Sequence, residues 1–127
     1  SKGTFDGIKF YDDFAHHPTA IEFSSNALRS KYPTKKILGL IELGSNTMAS
    51  GSHGLSILNS VKSLDDVIWL DHNDALKEAK GIYRYSDSED FISSAKDMML
   101  DYDIVILMTN KNSQKIIDPL IKSFEKK

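Results

Sequence analysis

The sequence predicts a single α/β domain with a mostly parallel sheet and helices on both faces. Three observations predict it. Short apolar runs alternate with segments of helical periodicity, the pattern of strands joined by crossover helices. Two of those runs, residues 36–43 and 103–108, are almost continuously apolar, as strands covered on both faces must be. The 127 residues fit one domain, residues 1–127, and a chain of that size buries roughly two-thirds of its unfolded surface without staples.

Each element follows in order. Ile8-Lys9-Phe10-Tyr11 reads as a short strand. Pro18 then marks a helix start, because its missing N–H would be unpaired in a first turn anyway. Ile21, Phe23, Ala27 and Leu28 are expected on the buried face of that helix, and Tyr32-Pro33 ends it. Residues 36–43 form the next strand, followed by a loop of small residues, Gly44-Ser45-Asn46-Thr47-Met48-Ala49-Ser50-Gly51-Ser52. Leu55, Leu58 and Val61 suggest a short helix, residues 67–70 a buried strand and residues 82–85 a short edge strand. Ser86 with Glu89 forms a capping box ahead of Phe91, Ile92, Ala95, Met98 and Met99 at helical spacing. Residues 103–108 are the last strand. Ile116, Ile117, Leu120, Ile121 and Phe124 make a closing amphipathic helix that Pro119 should kink or delay.

Composition narrows the function. With 16 basic and 18 acidic residues the formal net charge is −2, so no cationic surplus faces a nucleic-acid backbone. No apolar run reaches the ~18–20 residues that span a bilayer, and no membrane role is expected. The absence of cysteine excludes disulfide and thiolate chemistry.

Sites in such sheets form beyond the carboxyl ends of the strands, which directs attention to residues 12–17, 44–53, 71–73 and 109–113. In the first segment Asp12, Asp13, His16 and His17 crowd four polar groups into six positions before a helix N-terminus. Helix-end amides hold anions, carboxylates accept from ribose hydroxyls, and a histidine offers a donor, an acceptor and a flat face. A plain capping turn is the structural alternative. No metal site is expected there, since adjacent histidines point apart and no HxxxH or cysteine partner supports them. Trp69, Met98 and Met99 read as core, and His72 as solvent-facing turn chemistry.

The run Tyr11-Asp12-Asp13-Phe14-Ala15-His16-His17-Pro18-Thr19-Ala20-Ile21 is similar to the C-terminal-domain signature of the Mur ligase superfamily. Asn46-Thr47-Met48, with Gly51 and His53 after it, resembles a second motif of that family, and Met108-Thr109-Asn110 more weakly a third. Within the superfamily the resemblance favours the branch that joins the murein tripeptide L-Ala-γ-D-Glu-meso-diaminopimelate to UDP-N-acetylmuramate. The resemblance implies a Rossmann-like C-terminal domain of a cytoplasmic, three-domain, ATP-dependent ligase. It implies ATP and Mg2+ bound mainly by the central domain, an acyl-phosphate intermediate, and an isolated domain without activity. Partners would be UDP-N-acetylmuramate, the murein tripeptide, and the N-terminal and central domains of the same enzyme. Carried over by position, Asp13 and His16, with His17 and Asp12 after them, would meet nucleotide or substrate, and Ser45, Asn46, Thr47 and His53 would face the peptide.

The chain departs from the family pattern at Gly44, where an arginine is common, and at Lys111-Asn112-Ser113, which replaces a glycine-rich turn. No GxxxxGK[ST] is present. Two other readings compete. A phosphoacceptor receiver domain would use Asp71 as acceptor, with Thr109 and Lys111 beside it. A stand-alone nucleotide-binding module would bind nucleotide without partner domains.

Overall fold

The computed structural model describes residues 3–44 and 53–125. Among them run β1 (Gly3–Phe5), β2 (Ile8–Asp13), α1 (Pro18–Lys31), β3 (Ile37–Glu42), α2 (His53–Asn59), β4 (Asp66–Leu70), β5 (Tyr83–Tyr85), α3 (Ser88–Met98), β6 (Ile104–Met108) and α4 (Gln114–Glu125). One 3₁₀ turn, Met99–Asp101, links α3 to β6. The strands form one six-stranded sheet in the order β1-β2-β6-β3-β4-β5. All pairs are parallel except β1 with β2.

Alternation along each strand builds two cores. Leu38 and Leu40 of β3, Val105 and Leu107 of β6 and Ile68 and Leu70 of β4 face α3 and α4, where they meet Phe91, Ala95, Ile116, Ile117 and Leu120. Ile37, Ile41, Ile104, Ile106, Met108 and Trp69 face the other way, toward Ile21 and Leu28 of α1 and Ile57 of α2. β3 and β6 are buried at every position, which is why their sequences read as unbroken apolar runs rather than alternating ones.

The opposite, amino edge of the sheet is pinned by two aspartates. Asp65 accepts from the Ile37 amide at 2.7 Å and from Arg29 at 2.7 Å. Asp103 accepts from the Lys36 amide at 2.8 Å.

Four details differ from the sequence-based expectation. β1 was not anticipated. It forms because Asp6 (φ 54°) and Gly7 (φ 82°) both take left-handed backbone, the requirement of a two-residue hairpin turn with the strands' own twist. In α1 the buried stripe is Pro18, Ile21, Ser25 and Leu28. Phe23 is 76% exposed and Ala27 is also exposed, because a residue two positions from Ile21 lies across the helix from it. The cap of α3 is Asp87, whose side chain accepts from the Asp90 amide, one residue later than Ser86. α4 starts at Gln114, ahead of Pro119, so the proline does not delay it; a proline there removes one backbone bond, and the buried stripe Ile116, Ile117 and Leu120 keeps the helix packed.

Gly39 is a packing requirement rather than a turn. A Cβ at that position would lie 2.7 Å from Leu64 Cδ1 and 3.4 Å from Val67 Cγ2. Gly39→Val should therefore destabilise the fold by about 1–3 kcal/mol, the usual cost of overpacking, read as a lower urea midpoint with an unchanged slope. Asp65 gives a second test. Burial opposes its ionisation, but the Ile37 amide and Arg29 outweigh that and hold the carboxyl below its ordinary 3.8. A depressed folded-state value contributes stability above the unfolded-state value, and this is lost as pH falls through the folded one. Asp65→Asn should thus be less stable than wild type at neutral pH, with the gap closing below pH 3.8, measured by denaturant unfolding across pH.

Candidate functional site

The connections decide where a ligand fits. β2 and β3 lead into α1 and α2 on one face, whereas β6, which lies between them, leads into α4 on the other. Adjacent strands whose continuations part in this way leave a crevice at their carboxyl ends. Asp12 and Asp13 end β2, Glu42 ends β3 and Thr109 follows β6, so all four line the same edge.

The turn from β2 into α1 is held from within. Asp13 accepts from the Ala15 amide through Oδ1 at 2.9 Å and from the Ser24 hydroxyl through Oδ2 at 2.6 Å, an Asx turn braced by the helix it precedes. Ala15 is buried while Phe14, His16 and His17 are exposed, so the turn presents an aromatic and two imidazoles outward. His16 Nδ1 lies 2.9 Å from the Phe14 carbonyl. His17 occupies the cap position of α1 in extended backbone, and its side chain makes no capping bond. Asp12 points the other way and accepts from the Ser113 hydroxyl at 3.2 Å, joining the first post-strand segment to the last.

A group that sequence reading missed lies beside it. Glu42 is 6% exposed. Its Oε1 accepts from the Thr109 hydroxyl at 2.7 Å, its Oε2 is 2.8 Å from His72 Nε2, and Lys111 Nζ stands 3.9 Å away. Thr109, 1% exposed, also accepts from the Lys111 amide at 3.0 Å. His72 is exposed and lies in a turn, as expected, and its ring also pairs with the buried Glu42 carboxylate. The available signal was a lone glutamate at the end of an apolar strand, whose burial demands partners.

Comparison with known proteins bears on this arrangement. The family model described as Mur ligase, glutamate ligase domain, matches residues 1–111. The chain belongs to this family. A Haemophilus influenzae relative named UDP-N-acetylmuramate--L-alanyl-gamma-D-glutamyl-meso-2,6-diaminoheptandioate ligase is 32% identical over 94% of this chain and 29% of its own length. The solved murein peptide ligase of Psychrobacter arcticus 273-4 superposes with TM-score 0.77 at 25% identity, covering 93% of this chain and 28% of that one. A separately solved domain from Haemophilus ducreyi 35000HP gives TM-score 0.77 at 24% identity over 97% of this chain and 96% of that domain, which shows the shared fold. The chain thus spans less than a third of the full-length relatives it matches.

For a Mur ligase C-terminal domain the receiver reading loses its ground. A receiver places its first parallel strand between its second and third, but here β2 has β1 on one side and β6 on the other. Asp71 is 1% exposed, and its oxygens accept from the amides of Ala75 at 2.9 Å and Leu76 at 2.8 Å, with Arg84 at 3.4 Å. It is a loop clamp, not an open phosphoacceptor.

Of the remaining expected residues, Ser45, Asn46 and Thr47 lie outside the described residues. His53 is the first residue of α2. A cleft of about 370 Å³ opens between the two helices, lined by His17, Pro18, Thr19 and Glu22 on α1 and by Ser56, Asn59 and Ser60 opposite. It runs from the β2–α1 turn toward α2. Among the described residues no group of three or more His, Cys, Asp or Glu could hold a metal ion, and no helix is long and apolar enough to cross a membrane.

The clamp assignment has a direct test. Acetyl phosphate with magnesium should leave Asp71 unmodified by mass spectrometry, whereas Asp71→Asn should cost about 1–3 kcal/mol of stability because buried donors lose a charged acceptor.

Proposed function

We propose that this chain is the C-terminal domain of a three-domain, ATP-dependent ligase that joins the murein tripeptide to UDP-N-acetylmuramate. The observation that carries the reading is the meeting of the Asp12-Asp13-Phe14-Ala15-His16-His17 turn with the ends of β3 and β6 at one crevice. The family match and the relative's printed name support the reaction class.

The residues fit a nucleotide or peptide edge better than an ATP-phosphate cradle. Exposed His16 and Phe14 offer flat faces and hydrogen-bonding edges, and the first amides of α1 favour an anionic group. No P-loop is present, and the described residues offer no metal cage, so the proposal assigns ATP phosphates and Mg2+ to the central domain. The chemistry ATP supplies there is phosphorylation of the muramoyl carboxylate. This domain's own task is to close over the bound substrates, orient the incoming amine and keep water out.

Within that task, Asp13 acts through the turn it holds, and His16 and His17 present the surface that meets nucleotide or substrate. Asp12 ties the turn to the 109–113 segment. Ser45, Asn46, Thr47 and His53 are proposed to face the peptide. Such an enzyme would work in the cytoplasm, where its nucleotide-sugar substrate is made.

In the full-length enzyme, phosphate release should require ATP, UDP-N-acetylmuramate and tripeptide together. Asp13→Ala and His16→Ala should each lower kcat/KM by roughly 10²-fold or more, the scale of a misplaced substrate. Wild-type rates in both variants would refute the site, and ATP turnover by the isolated domain would refute the division of labour.

A further inference from the structure

We propose that Glu42 is a positioning residue whose buried carboxylate sets the ends of β3, β4 and β6 against one another and so fixes the segments that wall the site. Its place in the sheet is the first ground. A carboxylate 6% exposed at the end of an apolar strand is costly unless both oxygens are paired, and here both are. Its partners come from two other strand ends, 30 and 67 positions along the chain: His72 after β4 and Thr109 after β6.

The direction of these bonds is the second ground. Thr109 has one hydroxyl proton and gives it to Glu42 Oε1. Its oxygen is thereby turned to accept from the Lys111 amide at 3.0 Å, while its own amide donates to the Asp13 carbonyl at 3.1 Å. Thr109 is thus a junction with each of its polar hydrogens and its hydroxyl oxygen assigned. One arm reaches the β2–α1 turn through Asp13. The other reaches the 109–113 turn, whose Ser113 holds Asp12. Removing the acceptor at Glu42 frees the Thr109 hydroxyl to rotate and releases the arm to Lys111, while the backbone bond to Asp13 stays in place. With both oxygens engaged and little exposure, Glu42 acts through these neighbours and does not touch the reacting atoms.

The test uses the full-length enzyme, and its kinetic arm rests on the ligase reading above. Glu42→Met, which has no acceptor oxygen, and Thr109→Val should each raise KM for the tripeptide about tenfold or more, the consequence of losing the buried Thr109–Glu42 bond. The double variant should be no worse than the poorer single one, because the two residues act as a pair. Thr109→Ser keeps the hydroxyl and should restore wild-type KM. Ile57→Val, which loosens the opposite core, should lower Tm and leave KM unchanged. Independently of turnover, hydrogen exchange at the Lys111 amide should speed up in Glu42→Met. Wild-type exchange and wild-type KM in Glu42→Met and Thr109→Val would overturn the proposal, as would an equal KM rise in Ile57→Val. If the wild-type enzyme fails to ligate the tripeptide, the ligase reading falls, and the exchange measurement alone decides the role of Glu42.

Discussion

The whole arrangement hangs on β6. This strand, formed near the end of the chain, occupies the middle of the sheet and pairs with β2 on one side and β3 on the other. It is buried at every position, so it joins the two cores as well as the two halves of the sheet. Its insertion also creates the crevice, because its continuation into α4 leaves on the face opposite to α1 and α2. A strand placed there by long-range pairing must close large loops before it gains contacts, an entropic cost that local elements do not carry.

Polar groups in this fold are concentrated where the apolar strands stop. At the amino edge Asp65 and Asp103 take the leading amides of the β3 segment and hold register. At the carboxyl edge Asp13, Glu42 and Asp71 each accept at least two bonds. Asp71 spends its charge on its own loop, Asp13 on the turn that exposes His16, and Glu42 on residues from two other strands. The gradation runs from local clamp to long-range tie, and it separates the groups that hold a segment from those that organise the site.

Several features could be read from the residues in order. The unbroken runs in β3 and β6 announced two-sided burial, and Trp69 fell in the core as its apolar neighbours required. The start of α1 at Pro18 followed from local backbone chemistry. The Phe23 placement failed because a helical face is fixed by packing on the sheet, and apolar character alone could not say which side of α1 would meet it. β1 was missed although Asp6-Gly7 carries the hairpin signal, because a three-residue strand has too little pattern to register.

The chain by itself determined the fold class, the turn at residues 11–21 and the family, since each of these rests on short-range residue patterns. Only the tertiary structure decided that Glu42, His72 and Thr109 form one hydrogen-bonded group, because they lie at the ends of three strands whose sheet order does not follow the order of the chain. It also decided against Asp71 as an acceptor. An aspartate after a strand looks the same in sequence whether its oxygens face solvent or its own backbone amides, and burial with two such bonds made the difference.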